Sequence, residues 1–340
     1  FIKSVKKGDI YHHSVKNIDI FKEYIKGYVS FFRGAPPISF PRMIIKYVNC
    51  KMTEFQYSAY KRVLQNEEKL LKEKNILKKV LKDLNVSDLP NNFYIGTRMI
   101  SNIVFPNRKI NDSGFKSLTN KKILANLDDF SCKFKEIMEK IEKCHGKVFV
   151  YSAFKEYGGI KSFARVLDAF GYQDYMKEGD GKKRYAIWSG DEPITVKEEI
   201  KTVYNMKNNL SGKRLKILLG SPSIKEGVSL LAVRQVHVIE PYWNRSRLDQ
   251  VIGRASRFCS HKDLPEEKRI VKVYVYVSVA PEYGKKNVPE TIDQYIQQLT
   301  IDKDKIIKTF EKAIKEIAID CNLNKNANVY EGEETIQCNE

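Results

Sequence analysis

Three side chains in the last third of the chain could do chemistry together. Gln250, Arg254 and Arg257 lie in the run Leu248-Asp-Gln-Val-Ile-Gly-Arg-Ala-Ser-Arg257, a Gln-x-x-Gly-Arg-x-x-Arg pattern. On a continuous helix, positions i, i+4 and i+7 share a face, so this spacing predicts two forked cations and an amide pointing one way. Guanidinium groups grip phosphate oxygens in pairs, which makes phosphate recognition the expected chemistry. Just upstream, Lys216–Leu230 reads as a buried strand followed by a loop punctuated by Gly220 and Gly227, and Val236–Asn244 begins as another strand.

The elements that must position these residues are legible from Gly146 onward. Lys147–Ser152, Tyr185–Trp188, Leu215–Gly220, Gln235–Glu240 and Val271–Val279 are short, near-continuous apolar runs. Helical patterns alternate with them: one opened by Gly158-Gly159 and running to Phe170, then Pro193–Met206 and Arg245–Arg257. Strands of that composition alternating with helices predict an α/β fold, a parallel sheet with helices on both faces. Ligands of such sheets bind beyond the carboxyl ends of the strands, and the polar motifs fall there.

Ahead of this block, Ile18, Phe21, Ile25 and Val29 predict an amphipathic opening segment over residues 1–30. The following stretch, Gly27-Tyr-Val-Ser-Phe-Phe-Arg-Gly-Ala-Pro-Pro37, must leave any helix at its glycine and prolines. Its Tyr28, Phe31 and Phe32, beside Arg33, could stack on bases, although such aromatics more commonly fill a core. Ile44–Met52 predicts a strand, and Thr53 caps a helix that begins at Glu54. The expected organisation is a segment over 1–118, with a helical insertion near 54–85 and an irregular loop over 86–118. A main domain over 119–281 opens with one long helix, Asn120–Lys143. A helical tail over 282–340 runs through Val288–Cys321 and frays beyond residue 322.

A formal charge of +18 across 340 residues favours a polyanionic partner, nucleic acid foremost. The six cysteines (50, 132, 144, 259, 321 and 338) form no C-x-x-C pair, which predicts scattered reduced thiols rather than a zinc site. The five histidines show no metal-ligand spacing either, and His237, inside an apolar strand, reads as packed core. No run has the length of a membrane span. No G-x-x-x-x-G-K-[ST] loop is present: Gly158-Gly-Ile-Lys161 and Gly179-Asp-Gly-Lys182 lack its spacing. An acidic box for magnesium is missing too. The chain therefore offers the arginine side of a nucleotide site without the phosphate-loop side. Together with an opening Phe1 in place of methionine, this reads as a piece of something longer.

That combination resembles the second RecA-like domain of superfamily 2 helicases and Snf2-type translocases. Lys147–Phe154 looks like their motif IV, Leu218–Leu230 like motif V and Gln250–Arg257 like motif VI; Glu240-Pro-Tyr-Trp-Asn-Arg245 is similar to an acidic-x-x-Trp-Asn-Pro segment, with Arg245 in the proline's place. Gly27–Pro37, Gly146–Gly159, Thr291–Tyr295 and Ala318–Asn322 narrow the likeness to the helicase family of large nucleocytoplasmic DNA viruses, which includes the poxvirus nucleoside triphosphatase and the early transcription factor ATPase. The resemblance implies the carboxy-terminal half of a nucleic-acid-dependent ATPase, inactive by itself. ATP and Mg2+ would be held mainly by a first RecA-like domain of the same chain. It implies that Gln250 meets the γ-phosphate or attacking water and that Arg254 and Arg257 stabilise the transferred phosphoryl group. Glu226, Gly227 and Gly253 would line the nucleotide side, and Ser152, Lys155, Ser221 and Ser223 would contact the backbone of a DNA or RNA strand. Local alternatives are a salt bridge from Arg254 to Asp249 or Glu240, a capping role for Ser221 and Ser223, and a solvated Lys155. Viral RNA polymerase is a further expected partner, no membrane is expected, and the expected location is the host cytoplasm or the virion. The alternative for the whole chain is a non-catalytic RecA-like module that binds nucleic acid or scaffolds polymerase.

Overall fold

The computed structural model describes residues 1–7, 10–32, 34, 39–73, 94–225, 228–329 and 335–339. They fall into two compact units, one of residues 41–297 and one of residues 1–40 with 298–340. These units are discontinuous in sequence, whereas the boundaries read from composition followed the chain.

The larger unit is built on a seven-stranded sheet. Its strands are β3 (Arg42–Lys51), β4 (Lys147–Tyr151), β5 (Gln173–Asp174), β6 (Arg184–Trp188), β7 (Ile217–Gly220), β8 (Val233–Val238) and β9 (Ile270–Val279). Their order is β3-β9-β8-β4-β7-β6-β5, and every pairing is parallel. β4 and β7 are buried at every position, as central strands covered on both faces must be. β3, from well before the main block, pairs with β9 from Arg42↔Ile270 to Lys51↔Val279 and forms one edge. The core beneath the site joins Phe149, Leu218, Val236, Val251, Ile252 and Val273.

The helices of this unit are α2 (Glu54–Glu73), α3 (Ile95–Asn102), α4 (Asp112–Ser117), α5 (Asn120–Phe130), α6 (Cys132–Glu142), α7 (Ile160–Ala169), the single turn α8 (Tyr175–Glu178), α9 (Ile194–Asn205) and α10 (Arg245–Ala255). α6 packs on β3 and β9, α7 on β5, β6 and β7, and α10 on β8. Three local expectations change. The region 86–118 is not wholly irregular, since it holds α3 and α4; residues 74–93, including the second half of the expected insertion, lie outside the described residues. The single helix expected over Asn120–Lys143 is two. Asn126 leaves helical geometry at φ −144°, and Ser131 starts α6 as its N-cap, accepting from the Phe134 amide at 2.9 Å. Cys144 consequently stands beyond the end of α6. Finally, α10 ends at Ala255 instead of reaching Arg257.

The smaller unit opens with a hairpin, β1 (Ile2–Lys7) and β2 (Ile10–Val15), where the sequence suggested only an amphipathic segment. Helix α1 (Ile18–Ile25) follows, with Phe21 edge-on to Phe1 and Phe310 at 5.4 and 4.9 Å. The long helix α11 (Ile292–Ile317) starts in the larger unit and ends in this one, ahead of the turn α12 (Cys321–Asn324). Cys321 and Cys338 form a disulfide, which corrects the expectation that all six thiols are reduced. Their separation of 17 residues matches no local motif, and only the fold of the tail brings them together. Within the tail, the Asn339 amide bonds the Glu316 carbonyl at 2.8 Å. No helix among the described residues is long and apolar enough to cross a membrane.

Candidate functional site

Because all seven strands run parallel, the residues following β4, β7 and β8 emerge at one edge of the sheet. Backbone bonds continue the ladder past the strand ends: Ser152 N to Gly220 O at 3.2 Å, Ser221 N to Trp188 O at 3.0 Å and Ile239 N to Tyr151 O at 3.0 Å. Ser152, Ser221 and Glu240 are thus neighbours at the carboxyl edge, and α10 follows directly. Asn244 fixes where α10 begins, its side chain accepting from the Ser246 amide at 2.9 Å.

The polar face expected of one continuous helix is built differently. Gln250 is exposed on α10, and Arg254 is half-buried in its last turn. The Arg254 carbonyl accepts from the Leu230 amide at 2.8 Å, and Ser256 departs to φ −131°, ψ 60°. Arg257 therefore stands past the helix, half-buried, with Nη1 donating to Ser229 Oγ at 3.0 Å. The i+7 relationship does not hold; the two arginines are related instead through the β7–β8 loop. Asn205 secures that loop from the other side, donating to Ser229 O at 2.8 Å and accepting from Leu231 N at 2.9 Å. Glu226 and Gly227 lie outside the described residues. At Gly253 an added Cβ would meet nothing within 4 Å, so packing inside this chain does not require a glycine there.

The four residues expected on a nucleic-acid strand divide. Ser152 has no exposed surface, and its hydroxyl donates to the Glu240 carboxylate at 2.9 Å while accepting from Phe154 N at 3.0 Å. A buried carboxylate needs donors, and Ser152 is one of them. Lys155 Nζ lies 2.7 Å from Asp191 and 3.3 Å from Glu156, and Lys161 bridges the same two carboxylates. Those partners push the Lys155 ammonium above its ordinary range, hydrogen bonding to Asp191 being the largest cause. Ser221 is buried with its hydroxyl 3.2 Å from that of Ser223, which is exposed on the turn Pro222–Lys225. Of the aromatics after α1, Tyr28 and Phe32 are 87% and 59% exposed, so the core reading fails for them. Phe31 is half-buried under Lys315 at 5.5 Å, and Arg33 lies outside the described residues.

Glu240 is the centre of a buried polar network that sequence reasoning missed. It accepts from Asn102 Nδ2 at 2.9 Å, from Ser152 Oγ and from the Ala153 amide. Burial pushes its carboxyl above the usual range, opposed chiefly by the Ala153 amide and by the charges of Lys133 and Arg98. Asn102 also donates to Gly158 O at 2.8 Å and accepts from Lys133 Nζ at 2.8 Å, and Lys133 pairs with buried Asp293 at 2.6 Å. Gly158 (φ 78°) and Gly159 close the β4–α7 loop; a Cβ on Gly159 would stand 2.0 Å from Phe154 O. No local motif announces Arg98, Asn102 or Lys133, because their partners are far away in sequence.

Comparison with known proteins gives this edge a family. Residues 132–259 match the helicase conserved C-terminal domain. The chain carries a helicase conserved C-terminal domain with a RecA-like fold. It is 49% identical over 338 residues to the putative ATP-dependent RNA helicase R563 of Acanthamoeba polyphaga mimivirus, covering 99% of this chain and 56% of that protein. It is also 30% identical over 241 residues to the termination factor NPH-I homolog of African swine fever virus (isolate Tick/Malawi/Lil 20-1/1983), covering 59% of this chain and 34% of that one. The chain thus spans little more than half the length of the first relative and about a third of the second. The C-terminal part of the Fun30 ATPase domain has the same fold, with a TM-score of 0.50 at 14% identity over 82% of this chain and 98% of that one. The expected RecA-like helicase domain, and its likeness to viral helicases and Snf2-type ATPases, therefore hold.

Proposed function

We propose that this helicase domain is the second half of a nucleic-acid-dependent ATPase acting in viral transcription, and that Gln250, Arg254 and Arg257 act on a nucleotide held mainly by a first RecA-like domain. One observation carries the reading. The β7–β8 loop and the arginine-bearing helix are joined by Leu230 N to Arg254 O and by Arg257 to Ser229, at the carboxyl edge where parallel sheets bind ligands. The half-site logic supports a partner domain: arginines are present, whereas a phosphate loop is absent from the sequence. Gly253, with open space where a Cβ would stand, would allow close approach of that domain to α10.

ATP with Mg2+ is the nucleotide this reading requires, with the metal carboxylates supplied outside these residues. Gln250 would orient the attacking water or γ-phosphate, and the arginines would neutralise charge developing on the transferred group. Glu226 and Gly227 would couple the nucleotide to the strand. Lys155, Ser221 and Ser223 are the proposed contacts to a DNA or RNA backbone, with phosphate displacing Asp191 and Glu156 from Lys155. The names of the two viral relatives, an RNA helicase and a termination factor homolog, support a nucleic-acid partner and a place beside viral RNA polymerase.

The test is steady-state ATP turnover by the full-length protein carrying Arg254→Ala or Arg257→Ala. At least one substitution should lower kcat by ~10³–10⁵-fold with nucleic-acid binding retained. Unchanged turnover in both would leave a binding module. Turnover by these 340 residues alone would overturn the half-site reading.

A further inference from the structure

Helix α3 carries two buried polar residues one turn apart, Arg98 and Asn102, and both reach the same two loops. The Arg98 guanidinium lies against the Phe154 ring at 5.0 Å and the Trp243 ring at 4.8 Å. Trp243 in turn stacks on Tyr242 with centroids 4.3 Å apart, and Arg247, in the first turn of α10, covers Tyr242 at 4.4 Å. Phe154, Arg98, Trp243, Tyr242 and Arg247 thus form a chain of cation and ring contacts from the β4–α7 loop to the arginine helix. Asn102 spans the same gap below, donating to Gly158 O of the first loop and to Glu240 at the root of the second.

Arg98 is an expensive residue for this place. It is 2% exposed, its Nε has no hydrogen-bond partner, and the charges of Glu240 and Asp293 reach it without a contact ion pair among the described residues. A buried guanidinium without a contact ion pair costs desolvation that ring contacts and the more distant carboxylates offset only in part. An apolar side chain of similar length would fill the space at lower cost. What it could not do is hold a loop against each of two rings, because a planar cation orients aromatic faces and a flexible thioether does not.

We propose that Arg98, supported by Asn102, is a positioning residue that locks the β4–α7 loop to the segment Glu240–Arg247, so that the nucleic-acid side and the arginine side of the site move as one body. This rests on the functional reading above. It gives residues 95–102 a mechanical part in the reaction, acting on substrate only through Phe154, Trp243 and Glu240.

The experiment uses the full-length protein with Arg98→Met and Arg98→Lys, assayed for ATP turnover with poly(A) and oligodeoxythymidylate as probes. Both variants should keep KM for ATP and Kd for the probe within about twofold while kcat falls on the order of 10- to 100-fold. Arg98→Met should melt no lower than the parent. Unchanged kcat, or weakened binding with kcat retained, overturns the proposal, and so does unfolding of both variants. Hydrogen exchange gives an answer independent of turnover. Amides 152–159 and 240–247 should gain exchange together in Arg98→Met, and exchange rising in neither or in only one loop overturns it. A parent without nucleic-acid-stimulated turnover would count against the proposed function, while exchange would still decide the role of Arg98.

Discussion

At the scale of single residues, the site is set by groups whose burial controls their charge. His237 shows how sharply. It is fully buried on β8 and stacked beside Tyr274 and Tyr276 at 5.3 and 5.9 Å. Gln235 Oε1, 3.0 Å from Nε2, can only accept, so Nε2 carries the proton and Nδ1 accepts from the Tyr276 hydroxyl at 2.7 Å. Burial, with a contribution from Lys140, holds the imidazole down at about 3 from an ordinary value of 6.5. A base with a depressed folded pKa stays neutral in the fold while the unfolded chain takes up a proton. Stability therefore rises with pH between about 3 and 6.5 and is lost on acidification through that window. His237→Gln should remove that dependence: unfolding free energy measured from pH 4 to 7 should differ in slope from the parent by roughly 1.4 kcal/mol per pH unit. Identical slopes would show that His237 does not resist protonation. The expectation of a packed core histidine agrees with this environment, since an apolar strand around a polar ring already implies burial. The bond from Ser152 to Glu240 was not legible, since nothing near Ser152 shows that Glu240, 88 residues on, accepts from its hydroxyl.

At the scale of elements, helix ends decide more than helix middles. α11 begins at Ile292 because Thr291 and Gln294 cap each other, with Thr291 N donating to Gln294 Oε1 at 3.0 Å and Gln294 N to Thr291 Oγ1 at 3.3 Å. The Thr291 hydroxyl also bonds Ser278 O at 2.6 Å, fastening the helix to β9. Thr291→Ala should cost about 1–2 kcal/mol in chemical denaturation, and a loss below a few tenths would mean the cap is redundant. The Thr-x-x-Gln signature was readable in sequence, yet the expected start at Val288 ignored it. The end of α10 was not readable. Ser256 and Arg257 are tolerable helix residues, and the helix stops where the Arg254 carbonyl accepts from Leu230, a partner across the β7–β8 loop. Strands fared better: continuous apolar runs such as Val148–Tyr151 leave few other structures open.

At the scale of the whole molecule, the smaller unit is stapled as well as packed. The disulfide between Cys321 and Cys338 closes a loop of 17 residues, near the bond from Asn339 to Glu316. Reduction should lower the unfolding free energy of this unit by about 3 kcal/mol through loop-closure entropy, read as a shift in denaturation with and without dithiothreitol. An unchanged midpoint would mean that the tail is held without the bond. The sequence by itself determined the sheet, its alternation with helices and the polar motifs at strand ends, because hydrophobic period and strand length are local properties. Only the tertiary structure decided that β3 joins the sheet beside β9, that Cys321 meets Cys338 and that Arg257 answers to Ser229. It also placed α3 in a stretch read as an irregular loop, with Arg98 and Asn102 reaching two loops. Each of these depends on partners brought together by the fold across long stretches of chain, which no local spacing encodes. The polar group first seen as three residues on one helix is therefore a helix and a loop, joined at Arg254 and Arg257.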